Sequence, residues 1–446
     1  MRRESSVSVL TAALLAALGI APIAARAATI VVTTTGDSGT ASDCTLRQAI
    51  QSMNTGAVAG TGCVVASGAF GTGDTVQFGT TAFPAGGANT ITLAGGELVI
   101  STDLGIDATA NSNVTIDANK ASRVMDDNAA SGTLTLSHLT LRNGQAAYGG
   151  GIHTKTVNIT LNSSTLSGNT AVGTNFTTGG GIYSYGTNIT LNNSTVSGNS
   201  ATFGGGGIYD DGGKSNFTVT LNNSTVSGNS AQKGGGINVN VANAYAARVT
   251  LNNSTVSGNS ATSTFNVLGG GIYVYKGKVY LTNSTLSGNS ADGASAVGGG
   301  LTIARGDSST VASYNTIFAT NSAATGSDIA VIFASLTFTI TGSNNLLFGG
   351  GSSSLSQASF NNAPMTGNPK LTPLAHFGGP TKTRFPLAGS AAVNVISAAS
   401  CKTTTDQRGY ARPDAGSTSA TPCDIGAVEA DAATRNDIIF INGLDL

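Results

Sequence analysis

Hydrophobic and polar residues alternate in short stretches that recur along the middle of the chain. In "NITLNNSTV" (188–196), Ile189 and Leu191 fall on one side of an extended chain, and Thr190 and Asn192 fall on the other. Alternation over a few residues is typical of a strand with one buried face. Helical repeats are excluded, because Gly, Asn, Ser, Thr and β-branched residues dominate these stretches and are unfavourable in helix interiors.

The alternating stretches repeat with a period of 30 residues, so that leucine recurs at positions 161, 191, 221, 251 and 281. An asparagine column has the same period and comprises Asn169, Asn199, Asn229, Asn259 and Asn289. A third strand signal is a glycine triplet followed by Ile or Leu, at 149–152, 179–182, 205–208, 234–237, 269–272 and 298–301. The triplets are spaced 26 to 35 residues apart, so the loops beside them absorb differences in length.

Three short strands in about 30 residues each bury only one face, so such units become stable only by stacking. In a parallel stack each residue lies on its counterpart, and a column of asparagines can hydrogen-bond amide to amide. A propeller is less compatible, because its blades have four strands and an aromatic signature, whereas this chain has no Trp. We therefore predict an all-β parallel β-helix with three short strands per coil.

The two ends of the stack are expected to carry covers. In "CTLRQAIQSM" (44–53), Thr45 and Gln48 match a helix capping box, which predicts a short helix over the first coil. The proline-containing carboxy-terminal region is predicted to cover the last coil. The predicted segments are a leader (1–27), an amino-terminal cap (28–88), the β-helix (89–348, most regular at about 145–302), a carboxy-terminal cap (349–430) and a tail (431–446).

The four cysteines are predicted to form disulfides. Pairing Cys44 with Cys63 and Cys401 with Cys423 closes the shortest loops and is favoured, although four cysteines allow three pairings. Zinc binding is the alternative, but no Cys-x-x-Cys or histidine spacing supports it. No metal or other cofactor is expected.

Residues 1–27 resemble a secretory signal, with a basic start, an apolar stretch and cleavage between Ala27 and Ala28. A membrane helix is the alternative, but no stop signal follows. Removing Arg2, Arg3, Arg26 and Glu4 from 21 basic and 22 acidic residues leaves 18 and 21, which argues against nucleic-acid binding. No other apolar run has the length of a membrane helix. We expect a protein that is secreted, on the cell surface or associated with the outer membrane, where disulfides are common.

Three groups of motifs resemble those of exported bacterial proteins. The "GGGI" triplets with "VSGN" or "FATN" (318–321) resemble the GGAI and Phe-x-x-Asn repeats of polymorphic outer-membrane proteins. "CTLRQAI" resembles the CSLREA motif, from which it departs at Thr45 and Gln48. "TDQRGYARP" and "CDIGAVE" resemble the choice-of-anchor Q module. The resemblance implies an exported, right-handed β-helix at the cell surface, while a membrane barrel is not expected.

Catalytic groups are sparse along the repeats, since residues 145–300 contain no Glu and the pair Asp210–Asp211 is interpreted as a solvated turn. A denser group of charged residues lies near the start of the regular repeats and could share one face of the β-helix. It comprises Asp103, Asp107, Asp117, Lys120, Arg123, Asp126, Asp127, His138, Arg142 and His153. We therefore predict a non-catalytic protein that binds glycans or cell surfaces through the loops beside the glycine triplets. The alternative is a polysaccharide lyase or glycoside hydrolase, whose candidate residues are Arg123, Asp126 and Asp127. An ice- or mineral-binding face of Thr and Asn columns is a further possibility.

Overall fold

The computed structural model describes residues 26–430, except for residues 112, 175, 214–215, 242–246, 335–337, 350–354, 357 and 414–421. Residues 1–25 of the predicted leader and the predicted tail (431–446) lie outside the described residues. Within the described residues the chain winds into a right-handed parallel β-helix, whose strands form four sheets. The predicted fold class is confirmed.

Six successive coils, from β9 onward, run through the four sheets in the order sheet 1, sheet 2, sheet 3, sheet 4, and the described coils before and after them pass from sheet 2 directly to sheet 4. Sheet 1 contains β1 (Thr29–Val32), β2 (Val65–Ser67), β3 (Asp74–Phe78), β6 (Leu104–Asp107), β9 (Thr133–Ser137), β13 (Asn158–Asn162), β17 (Ile189–Asn192), β21 (Phe217–Asn222), β25 (Ala247–Asn252), β29 (Lys278–Thr282), β33 (Thr310–Tyr314), β36 (Phe338–Ser343) and β39 (Ala358–Phe360). Sheet 2 contains β4 (Thr90–Thr92), β7 (Val114–Asp117), β10 (Leu139–Arg142), β14 (Thr165–Ser167), β18 (Thr195–Ser197), β22 (Thr225–Ser227), β26 (Thr255–Ser257), β30 (Thr285–Ser287), β34 (Ile317–Ala319), β37 (Leu346–Phe348) and β40 (Met365–Thr366). Sheet 3 contains β11 (Gln145–Ala146), β15 (Thr170–Ala171), β19 (Ser200–Ala201), β23 (Ser230–Ala231), β27 (Ser260–Thr262) and β31 (Ser290–Asp292). Sheet 4 contains β5 (Leu98–Ile100), β8 (Met125–Asp127), β12 (Ile152–Thr154), β16 (Ile182–Ser184), β20 (Ile208–Asp210), β24 (Ile237–Val239), β28 (Ile272–Val274), β32 (Leu301–Arg305), β35 (Ile329–Phe333) and β38 (Leu355–Ser356).

The coils therefore have a fourth strand position that the sequence pattern did not predict. The strands of sheet 3 are two or three residues long and follow directly on the turn that holds the asparagine column. A segment such as Ser200–Ala201 is too short to show alternation. Three-residue 3₁₀ turns lie at Thr109–Asn111, Gly306–Ser308 and Ala398–Ser400.

Equivalent side chains of successive coils are in contact, as the 30-residue period predicts. Within sheet 1, Leu161 is in register with Leu191 and Leu191 with Leu221, and all three are fully buried. Thr190 and Asn192 of the same strand face outward and are half-buried. The apolar interior is thus a set of stacked Ile, Leu and Val columns that runs along the β-helix axis.

The asparagine column forms a buried amide ladder at the turn between sheets 2 and 3. The Nδ2 of Asn199 donates to Oδ1 of Asn229 at 3.0 Å and to the carbonyl oxygen of Leu166 at 3.1 Å. The Oδ1 of Asn199 accepts from the Asn169 backbone N–H at 2.9 Å. The ladder continues one coil beyond the predicted five residues, because Asn289 donates to Asn321 at 3.0 Å. Each amide thus satisfies polar groups on neighbouring coils.

The glycine triplets allow the chain to approach the next coil closely. The first glycine has a positive φ, 67° at Gly179, which disfavours a residue with a side chain. A Cβ on the second glycine, Gly180, would lie 2.3 Å from the carbonyl oxygen of Ser200 on the neighbouring coil. The triplets are therefore required by both backbone conformation and packing.

The predicted amino-terminal helix is α1 (Leu46–Thr55), and its capping box is confirmed. Thr45 Oγ1 accepts from the Gln48 backbone N–H at 3.1 Å, and Gln48 Oε1 accepts from the Thr45 backbone N–H at 3.0 Å. The disulfide between Cys44 and Cys63 is present. The helix packs on the first strands through one apolar face.

Coil formation begins before the predicted boundary at residue 89. β1 pairs in parallel with β3, and β3 with β6, so the predicted amino-terminal cap (28–88) already contributes strands to sheet 1.

Arg47 of α1 fixes this region, since its guanidinium donates two hydrogen bonds to Asp37 and one each to the carbonyl oxygens of Gly96 and Glu97. Burial alone would favour neutral Asp37, but the bonds from Arg47 and two backbone N–H groups lower the pKa of its carboxyl.

The carboxy-terminal module (368–430) lies along the side of the β-helix, so its contacts extend well beyond the last coil that it was expected to cover. Gln407 Nε2 donates to Thr225 Oγ1 at 2.9 Å, and Gln407 Oε1 accepts from Thr255 Oγ1 at 2.6 Å, both on the outer face of sheet 2. The N–H of Ala427 donates to Thr285 Oγ1 at 3.1 Å. The module therefore spans at least three coils.

Apolar contact anchors the same module nearer the end of the β-helix. The outward threonine of sheet 2 is replaced by Ile317, which packs with Leu346 against Ile396 and Ile425 of the module. Burial of this row favours docking along the side of the helix. The module also contains the Cys401–Cys423 disulfide, so the favoured pairing of all four cysteines is confirmed.

Candidate functional site

The charged cluster preceding the regular repeats does not share one face. Asp103 and Asp107 lie at the outer face of sheet 1, whereas Asp117 belongs to sheet 2 and is bonded to Arg142 at 2.8 Å. Asp126 lies on the outer face of sheet 4. The expectation of a common face is therefore wrong, because one coil turns through three directions within these residues.

Asp127 points into the interior and cannot contact a ligand at the surface. It follows Asp126 in the same strand, and successive side chains of a strand point to opposite faces. Its carboxyl is fully buried, and burial raises its pKa to about 6. Asp127 is therefore excluded as a catalytic residue.

Asp126 belongs to a compact network with Arg123, His153 and Glu97 on sheet 4. Asp126 Oδ1 lies 2.5 Å from His153 Nδ1 and 3.1 Å from Arg123 Nη1. The same Arg123 nitrogen lies 2.7 Å from Glu97 Oε2, so the two carboxylates are neighbours bridged by one guanidinium. Burial opposes ionisation of Asp126, but the His153 hydrogen bond and the Arg123 charge outweigh it and lower its pKa.

Glu97 is a member of this network that sequence reasoning missed. It lies in the turn before β5, 26 residues from Arg123, and no local spacing connects the two. The contact between Glu97 and Arg123 could be predicted only if the position of Glu97 relative to β8 were already known. Among the described residues, no group of three His, Cys, Asp or Glu side chains is arranged to hold a metal ion.

A row of aromatic rings continues from His153 along the outer face of sheet 4. His153 stacks on Tyr183 with ring centroids 5.3 Å apart, and Tyr183 stacks on Tyr209 at 5.8 Å. Asp211 accepts hydrogen bonds from the hydroxyls of Tyr209 at 3.2 Å and Tyr183 at 3.5 Å. Burial and the nearby Asp211 charge raise the pKa of both tyrosines, so these rings stay neutral.

The pair Asp210–Asp211 is not the solvated turn that the sequence suggests. Asp210 is the last residue of β20 and is fully buried, and its Oδ1 accepts from the N–H groups of Gly186 and Gly212 at 3.0 and 2.9 Å. Burial, only partly offset by these bonds, raises its pKa to about 7. Asp211 is half-buried against the tyrosines.

Three exposed aromatic side chains lie in the loops that precede the glycine triplets. Tyr148, Phe176 and Phe265 lie in three such loops and are 43%, 69% and 75% exposed. Phe176 packs edge-on against Phe203 of the next loop at 4.8 Å, and the Lys233 ammonium lies 5.1 Å from the Phe203 ring centroid.

The longest of these loops forms a cleft with the loop of the next coil. Phe265 lines it together with residues 263–267 and 293–296, and its volume is about 360 Å³. A cleft of this size beside an exposed ring is within the range of small-ligand sites.

Comparison of the chain with protein-family models, with curated proteins and with solved structures gives no significant match. Among the described residues, no helix is both long and apolar enough to cross a membrane.

Proposed function

We propose that the protein is exported and binds glycans at a cell surface through the loops that precede its glycine triplets. The exposure of Tyr148, Phe176 and Phe265 carries the proposal. A large exposed ring keeps apolar surface in contact with water, and covering that surface with a ligand is favourable. Aromatic faces in clefts are also suited to the apolar face of a sugar ring.

Two further observations support an exported surface protein. Both disulfides are consistent with an oxidising compartment, and the first 27 residues resemble a secretory signal. The motif resemblances to polymorphic outer-membrane repeats, to CSLREA and to choice-of-anchor Q belong to the same proposal. The β-helix itself does not define a function, since one fold hosts many.

The test is binding of the purified protein to a glycan microarray, comparing Phe176→Ser with Phe265→Ser. Both side chains are exposed, so the variants should fold like the wild type and lose binding. Phe333→Ser is the matched control, because Phe333 is 56% exposed but lies outside these loops. Unchanged binding by both loop variants would contradict the proposal.

A carbohydrate-active enzyme remains the second candidate, favoured by the proximity of Glu97 and Asp126. Their shared Arg123 neutralises charge, and a substrate group would have to displace it before the carboxylates could act as acid and base. Incubation with a polysaccharide panel tests this: new reducing ends or unsaturated products that disappear in Asp126→Asn would establish catalysis there. Products that persist in that variant would exclude this cluster.

A further inference from the structure

A column of outward positions on sheet 1, mostly threonines, lacks a side chain at Gly105. Thr75, Gly105 and Thr135 occupy equivalent positions on successive strands, and Thr160 continues the column. Gly105 is therefore the position where the outward side chain is missing. Its backbone is that of a strand, so glycine is not needed for its conformation.

A cleft of about 550 Å³ lies over Gly105, and we name it the Gly105 cleft. Thr75, Thr133, Thr135 and Ser137 line it with hydroxyl groups, and Gly105 forms its floor. The volume falls in the range of small-ligand sites, and the cleft lies on a different sheet from the aromatic loops.

Two carboxylates flank the Gly105 cleft along the strand direction. Asp103 and Asp107 stand two residues before and after Gly105, so their Cα atoms are roughly 13 Å apart along an extended chain. Asp103 accepts from the N–H groups of Thr133 and Gly73, and Asp107 accepts from Thr109. Within the described part of the chain, no Lys or Arg forms an ion pair with either carboxylate.

The hydroxyl lining and the flanking charges define the chemistry of a ligand. Threonine and serine hydroxyls both donate and accept, which suits the hydroxyl groups of a sugar. Carboxylates that have no ion-pair partner favour a ligand with an ammonium group, because charge-assisted hydrogen bonds are stronger than hydrogen bonds between neutral groups. A bare divalent cation fits less well, since no third acidic or histidine ligand is arranged beside these two among the described residues.

We propose that the Gly105 cleft binds an oligosaccharide of protonated amino sugars. The hydroxyl-lined floor holds the rings, and Asp103 and Asp107 bind ammonium groups at the two ends. This site is independent of the aromatic loops and of the function proposed for them.

Isothermal titration of the full chain with a glucosamine tetrasaccharide tests the proposal, with the fully N-acetylated tetrasaccharide as the matched ligand. The amine form should bind roughly tenfold or more tightly than the acetylated form, because acetylation removes the charge. Gly105→Thr should weaken binding by about tenfold or more, because it places a branched side chain on the floor of the cleft, where the sugar rings would lie. Asp107→Asn should have a similar effect.

The controls separate loss of the site from loss of the fold. A Cβ at Gly105 would lie 3.3 Å from Thr75 Oγ1, a contact that a small shift of the hydroxyl relieves, so Gly105→Thr should keep the wild-type melting temperature. Asp292→Asn removes the same charge from an exposed position of another sheet and should bind like the wild type. Equal affinity for both tetrasaccharides, absence of binding, or unchanged binding by Gly105→Thr would overturn the proposal.

Discussion

Replacing Asn229 by alanine tests whether the buried amide ladder holds the coils together. Asn229 Nδ2 donates to Asn259 Oδ1 and to the carbonyl oxygen of Val196, both at 2.9 Å. Its Oδ1 accepts from the backbone N–H of Asn199 at 2.9 Å and from the Asn199 amide at 3.0 Å. Asn229→Ala thus removes four hydrogen bonds from a site with no exposure to water.

The expected cost follows from what the neighbours lose. A hydrogen bond contributes about 1 kcal/mol net, and a buried polar group left without a partner costs about 1–3 kcal/mol. Asn259 Oδ1 keeps its bond from the Asn229 backbone N–H, and the Asn199 amide keeps its bond to Leu166. The Asn199 N–H and the Val196 carbonyl lose the side-chain partner. We therefore expect the free energy of unfolding to fall by about 4 kcal/mol, within a range of roughly 3–6 kcal/mol.

The measurement is urea unfolding followed by circular dichroism, with thermal melts alongside. Asn222→Ala is the matched control, because Asn222 belongs to the same coil and to an outward ladder with Asn192 and Asn252 at 2.9 and 3.0 Å. Its side chain is half-buried and water can replace the partners, so the loss should be about 1 kcal/mol or less. Equal losses for the two variants would refute the reasoning that burial makes the inner ladder the stronger one.

Three further predictions concern other parts of the fold. Because burial raises the pKa of Asp210 from 3.8 to about 7, the native state keeps a proton that the unfolded chain releases, and stability falls as pH rises through that interval. Asp210→Asn should flatten this slope in melts between about pH 4 and 8, and an unaltered slope would contradict the assignment. Gln407→Leu removes the bonds to the sheet 2 threonines, so limited proteolysis should cut the carboxy-terminal module faster than in the wild type while the dichroism of the β-helix persists; wild-type resistance would refute this. Gly235→Ala places a Cβ 2.3 Å from a carbonyl oxygen of the next coil and should prevent soluble folding. A Cβ at Gly258 would have no atom within 4 Å, so Gly258→Ala should lower the free energy of unfolding by only about 1–2 kcal/mol because of its left-handed backbone. Equal yields of soluble protein for the two variants would argue against coil packing as the cause.

The stacked coils follow directly from the sequence, because their contacts join residues at a constant separation. Leu161, Leu191 and Leu221 repeat every 30 residues, and the register of sheet 1 reproduces that spacing. The asparagine ladder and the glycine triplets were predictable for the same reason. The capping box at Thr45 and Gln48 was predictable because all of its contacts are local.

Features without a repeated separation were decided by the three-dimensional arrangement. Gln407 contacts Thr225 across 182 residues, and no periodicity marks the pair, so the docking of the carboxy-terminal module along sheet 2 was missed. The proximity of Glu97 to Asp126 likewise depends on how two unequal coils stack.

The direction in which individual side chains point also limited how much of the candidate site could be predicted from the sequence. Adjacent aspartates such as Asp126 and Asp127 look equivalent in the sequence, yet a strand sends one to solvent and the other into the core. The repeat period therefore specifies the β-helix, because each coil needs only its neighbours to bury its apolar face. Its surface chemistry depends on irregular coils and on distant segments, whose positions are set by packing of the whole chain.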